Sequence, residues 1–158
     1  MEAKIEFYQK TITIWNNLCE LHKDLHEATS QEYIYLLGSN VDEIENSIKQ
    51  KELIINKIND FDKKRNDHLE EINTTFNTDI KNFFELNEFF KDIDIEKSDG
   101  HLNKFNLLLK ELIINIQDQN KTNQIFINKA IINLDKIKNA GTSNKNYTLY
   151  NKNGALRK

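Results

Sequence analysis

The chain has 158 residues, a net charge of -3, 38% hydrophobic residues and 30% charged ones. That length holds one ordinary domain, and the composition buries a narrow core of the kind a helical bundle needs, with one apolar stripe per helix. Lysines are interspersed with Asp and Glu rather than gathered into a basic stripe, which argues against nucleic acid and anionic membrane as partners.

Proline is absent and glycine occurs only at Gly38, Gly100, Gly141 and Gly154. Long stretches free of both residues permit long helices. The first is expected from about Ala3 to Leu37. Ile5, Tyr8, Ile12, Trp15, Leu18, Leu21, Leu25 and Ala28 recur there at alternating steps of three and four, as one helical face requires. Gly38 and Ser39 end it.

A second helix starts with Ser39 or Asn40 as N-cap, and Asp42 or Glu43 completes a capping box. Val41, Ile44, Ile48, Ile55 and Ile58 follow a heptad that Lys51 interrupts. Leu69, Ile72 and Phe76 resume it. Asp62 and Arg65 fall on the seam between, so the helix either bends there or presents a solvated face. A break is expected near Asn77 to Asp79, with Thr78 or Asp79 as the next cap. Ile80 to Ile93 then reads as a further short helix or the end of the second. Within it Phe83, Leu86 and Phe90 share a face that Phe84 and Phe89 do not. This aromatic cluster reads as a locally thicker core, with a sticky patch for a partner as the other reading.

Residues 95–100 read as a loop. The last helix is expected from about His101 to Asn139, with the stripe Leu102, Phe105, Leu109, Leu112, Ile116, then polar Gln119 and Asn123, then Phe126 and Ala130. Leu134 and Ile137 continue it after one shifted step. Downstream of the polar break, Ile125, Phe126, Ile127, Ile131, Ile132, Leu134 and Ile137 are apolar on more than one face. That suits a segment that packs inward and also touches a partner. The expected architecture is all-α: an elongated antiparallel bundle of three long helices, with a fourth short one at most, over residues 1–140. Residues 141–158, around Tyr147, Leu149 and Tyr150, form a polar, flexible tail.

The single cysteine, Cys19, excludes an intrachain disulfide and fits a reducing compartment. Met1 to Lys10 lacks the apolar run of a signal peptide, and no stretch approaches the roughly 20 apolar residues of a membrane span. The expectation is a soluble, cytoplasmic chain, a monomer or small homo-oligomer. His22 and His26 stand four apart, but Lys23 occupies the position where a zinc-protease motif has Glu, and no third ligand lies nearby. His22, His26, His68 and His101 therefore read as surface residues, and Cys19 as a small core residue. The carboxylates alternate with lysines as on solvated helix faces. No metal site, no cofactor and no catalytic residue is expected, and the chain reads as a protein-binding module.

The segment Leu112 to Leu134 resembles the C-terminal helix of FlgN-type flagellar export chaperones, which carries an Asn-x-x-Asn pair matched here by Asn120 and Asn123. Thr148-Leu149-Tyr150 through Gly154 resembles the family's tail signature. Glu32 to Arg65, with Ile44 to Lys51, is similar to its second helix. The resemblance implies a cytoplasmic chaperone for the hook–filament junction proteins, whose terminal helices it would hold and deliver to the cytoplasmic domain of the type III export gate. It implies client contact through Asn123, Phe126, Ile127, Ala130, Ile131, Leu134 and Ile137, and gate docking through Leu149 and Tyr150. A structural coiled-coil or adaptor protein, or a chaperone of another secretion system, is the alternative.

Overall fold

A computed structural model describes residues 2–93 and 100–138, without the side chains of residues 130 and 133–138. The described residues form helices α1 (Glu2–Leu37), α2 (Val41–Phe76), α3 (Phe83–Phe89) and α4 (His101–Lys138), and no strand. Long α1 and α2 pack against α4. The backbone divides into two compact units, each drawing on the same three long helices. Of the described residues, unit 1 comprises 2–23, 54–93 and 100–112, and unit 2 comprises 24–53 and 113–138.

The helix ends follow from local chemistry. After Leu37 the chain takes a left-handed residue at Ser39, with φ of 53°. This lets Ser39 N–H reach the Leu36 carbonyl and Asn40 N–H reach that of Tyr35, both at 3.2 Å. The pattern is the double closure that satisfies the last carbonyls of a helix. Asn40 then caps α2 through its Oδ1, which accepts from Glu43 N–H at 3.3 Å. Of the two expected caps, Asn40 is the one used.

α2 ends the same way, with Asn77 left-handed at φ of 54° and Thr78 N–H bonded to the Asn73 carbonyl at 3.1 Å. The next cap is neither Thr78 nor Asp79. Asn82 Oδ1 accepts from Glu85 N–H at 2.9 Å, and Glu85 returns a carboxylate oxygen to Lys81 N–H at 2.7 Å. Thr78 instead donates its hydroxyl to Asn73 Oδ1 at 2.9 Å, so it serves the turn rather than a helix start. The third helix is correspondingly shorter than the interval Ile80 to Ile93.

The interior of unit 1 is mainly apolar, with Thr11, His22, His68 and Asn106 as its buried polar members. Tyr8, Ile14, Trp15 and Leu18 from α1, Ile55, Ile58 and Ile72 from α2, and Leu102 and Leu109 from α4 are all buried. The phenylalanine cluster follows the expected face in part: Leu86 and Phe90 are buried and Phe84 is exposed, but Phe89, expected off that face, is half-buried like Phe83. Phe90 is fully buried and meets Tyr8 edge-on at 5.5 Å, while Phe84 remains 70% exposed. Phe83 leans on Trp15 at 5.8 Å, and Phe89 on Phe76 at 5.2 Å. Asp62 and Arg65 pair at 3.1 Å, one turn apart and half-exposed, so the solvated reading of that seam holds. Arg65 also lies over Trp15 at 5.9 Å.

Unit 2 differs in burying an ion pair, Lys51 with Glu32. Leu25, Leu36, Ile116 and Ile127 are buried, and so are Thr29, Glu32, Ser47, Lys51 and Asn123. Lys51, which interrupts the α2 heptad, points inward and is 1% exposed.

Candidate functional site

Glu32, Lys51, Gln119, Asn120 and Asn123 join in one network across α1, α2 and α4. Leu18, Leu25 and Glu32 stand at heptad spacing on α1, and Ser47 and Lys51 one turn apart on α2. Glu32 Oε1 accepts from Lys51 Nζ at 3.2 Å and from Asn123 Nδ2 at 2.9 Å. Lys51 also donates to Asn120 Oδ1 at 2.8 Å, and Asn123 to the Thr29 carbonyl at 2.8 Å. Gln119 Nε2 completes Asn123 by donating to its Oδ1 at 2.9 Å. Asn120 Nδ2 is buried without a hydrogen-bond partner.

Burial pushes the Lys51 pKa below the usual ammonium range, against the opposing pull of the Glu32 charge and hydrogen bond. Taking two charges out of water costs about as much as their attraction returns. Such a network therefore adds little net stability while accepting only one arrangement of its partners. Its members on α4, Asn120 and Asn123, are turned toward α1 and α2.

The residues that the resemblance marks as client contacts are distributed around α4. Asn123 and Ile127 are buried, at 1% and 5% exposure. Phe126 is half-buried, edge-on to Tyr33 at 5.5 Å, with Lys129 at 5.9 Å from its ring. Ile131 is half-buried. Ala130, Leu134 and Ile137 belong to α4, but their side chains lie outside the described residues, as do Leu149, Tyr150 and the rest of 139–158.

The side of α4 away from Asn123 carries Ile114, Ile125 and Ile132, each more than half exposed. Steps of eleven and seven residues sum to five helical turns, so these three isoleucines stand in one line. Ile125 and Ile132 belong to the segment whose several apolar faces suggest contact with a partner, and Ile114 extends their line beyond it. The buried ion pair was missed altogether. Its signal was a basic residue at a heptad position of α2 and an acidic one at a heptad position of α1.

Unit 1 corrects the reading of two histidines. His22 is buried, with Nδ1 at 2.7 Å from the Leu18 carbonyl. His68 is buried with Nε2 at 2.7 Å from Thr11 Oγ1. The Thr11 hydroxyl donates to the Phe7 carbonyl at 2.7 Å, so His68 Nε2 is the donor and its Nδ1 is left without a partner. Desolvation pushes both imidazoles below the ordinary histidine range. Their polarity suggested the surface, but each satisfies one nitrogen on its own or the adjacent helix and packs the ring inside.

Cys19 is buried and donates to the Phe105 carbonyl at 3.3 Å. Burial, with the Glu20 charge adding to it, raises its pKa to about 11. The thiol is thus protonated at neutral pH and serves as packing. Among the described residues no group of three His, Cys, Asp or Glu could hold a metal ion, and no helix is long and apolar enough to cross a membrane.

No curated protein and no solved structure matches the chain. The family model described as FlgN protein matches residues 1–158. That family is one of flagellar export chaperones rather than of enzymes. The described residues are helical, without a strand, and with a family model that spans its full length the chain belongs to the FlgN family.

Proposed function

We propose that this protein is a cytoplasmic export chaperone that holds the terminal helices of hook–filament junction proteins along the C-terminal half of α4. In this reading it delivers them to the type III export gate through Leu149 and Tyr150. The observation that carries the reading is the exposed line of Ile114, Ile125 and Ile132 on a helix whose opposite side is anchored by Asn123. An amphipathic client helix needs an apolar face of this kind to cover its own.

Of the residues that the resemblance marks for client contact, Phe126 and Ile131 are half-buried and open to a partner, whereas Asn123 and Ile127 are buried and support α4 from inside. Release at the gate requires modest affinity, about micromolar to tens of nanomolar, or about -8 to -10 kcal/mol. An aromatic anchor such as Tyr150 buries area with few rotatable bonds.

Calorimetric titration with the C-terminal helical segment of the same organism's hook–filament junction protein tests the reading, on the full chain and on a version ending at Gly141. Saturable binding by both supports a client site on α4 and leaves Tyr150 for the gate. No binding by either removes the chaperone assignment.

A further inference from the structure

Unit 1 contains a cleft of about 250 Å³ that the proposed client segment does not touch. Its apolar walls include Trp15, Leu69, Phe83 and Leu86, and Arg65 and Lys81 bring two positive charges to it. Pockets for cofactors and drug-sized ligands run from roughly 300 to 1,000 Å³. This one is the size for one or two amino-acid side chains.

The wall is held in place by a dedicated set of hydrogen bonds. Asn73 grips the backbone of Ile80 from both sides, donating to its carbonyl at 3.0 Å and accepting from its N–H at 2.9 Å. The Asn82 cap and the Glu85 return bond fix the next two turns. Phe83 and Leu86 are thereby presented to the cleft by a segment whose backbone is already ordered, which lowers the entropic cost of binding there.

The charge of the lining is one-sided. His68 also lines the cleft and is kept neutral by burial, so Arg65 and Lys81 are its charged members. Each holds an aspartate, Asp62 at 3.1 Å and Asp79 at 3.3 Å. These pairs are partly or largely exposed, and the remaining N–H donors of each cation are open to a second carboxylate. Arg65 further combines its charge with the Trp15 ring face, a surface that suits a carboxylate and an apolar group side by side.

We propose that this cleft is a second protein-docking site, which receives from an acidic segment of a partner protein one bulky apolar side chain flanked by a carboxylate. The site lies wholly in unit 1 and does not depend on the reading of α4 as the client helix.

Trp15 is the single tryptophan of the chain and lines the cleft, so it reports occupancy directly. The probe is the tetrapeptide Ac-Glu-Leu-Phe-Glu-NH2, titrated to millimolar concentration into the full-length protein. Trp15 emission and the Trp15 indole N–H resonance are followed, with Ac-Lys-Leu-Phe-Lys-NH2 and Ac-Leu-Phe-NH2 as controls. The expected result is a saturable shift with the acidic peptide, at least tenfold weaker with either control and at least tenfold weaker in Arg65→Gln/Lys81→Gln. Lys81→Gln alone, at an exposed side chain, serves if the double variant loses its helical circular dichroism, and its affinity should fall threefold or more. Absence of any shift, equal binding of the three peptides, or indifference to the substitutions would each overturn the proposal.

Discussion

Replacing Lys51 by Met removes one charge from the interior of unit 2 and nearly conserves side-chain volume, so the cavity contribution is small and the effect reads the charge. Glu32, with a side chain 3% exposed, then keeps a carboxylate that only Asn123 can serve, and Asn120 Oδ1 loses its donor. Breaking a buried pair from one side costs about 3–5 kcal/mol. At about 2–4 °C per kcal/mol for a chain of this size, the melting midpoint falls by about 6–20 °C. Urea unfolding followed by far-ultraviolet circular dichroism measures the loss. Glu32→Gln in the Lys51→Met background removes the orphaned charge and keeps an acceptor for Asn123. It is expected to recover more than half of that loss, although Glu32→Gln alone is destabilising. A loss below about 1 kcal/mol for Lys51→Met, or additive effects in the double variant, would show the pair to be hydrated in solution and would refute this account of the core.

Three other outcomes are expected. Both His22 and His68 have folded pKa values pushed down by burial, so as pH falls below about 6.5 the unfolded chain takes up protons that the folded chain does not. Stability therefore falls on acidification in that window, and a urea-midpoint series in His22→Gln/His68→Gln should show a flatter pH dependence than the parent. Ser39 occupies a left-handed position suited to glycine, and Ser39→Gly should raise stability by about 0.5–1 kcal/mol in the same assay; a loss would mean that the turn is held by the serine itself. Ile125→Ser/Ile132→Ser alters two exposed residues and should change stability by less than about 0.5 kcal/mol. It should weaken binding of the junction-protein helix at least tenfold by calorimetry, and unchanged affinity would place the client elsewhere.

The helices were legible because their evidence is local. Gly38, Ser39 and Asn40 mark one junction, the break near Asn77 marks another, and the stripe from Leu102 through Asn123 runs through α4 as its spacing requires. The burial of Leu86 and Phe90 beside an exposed Phe84 was also legible, because helical angle decides it. What periodicity within one helix cannot carry is pairing between helices. Lys51 looks like a fault in a heptad until Glu32 and Asn123 are set opposite it. His68 looks solvated until Thr11 approaches from α1. The α2 seam is likewise displaced: Leu69 is half-buried while its neighbour His68 is buried, because polarity misassigned which of two adjacent positions turns inward.

The network of unit 2 also constrains how the family can diverge. An apolar core tolerates exchanges of similar volume one at a time. Glu32, Lys51, Asn120 and Asn123 share atoms in one hydrogen-bonded set, so the loss of one member penalises the rest. Substitution at any of these positions selects for a matching change at another. Among FlgN relatives the four positions should be inherited as one character, either retained together as a charged and amide layer or exchanged together for an apolar one.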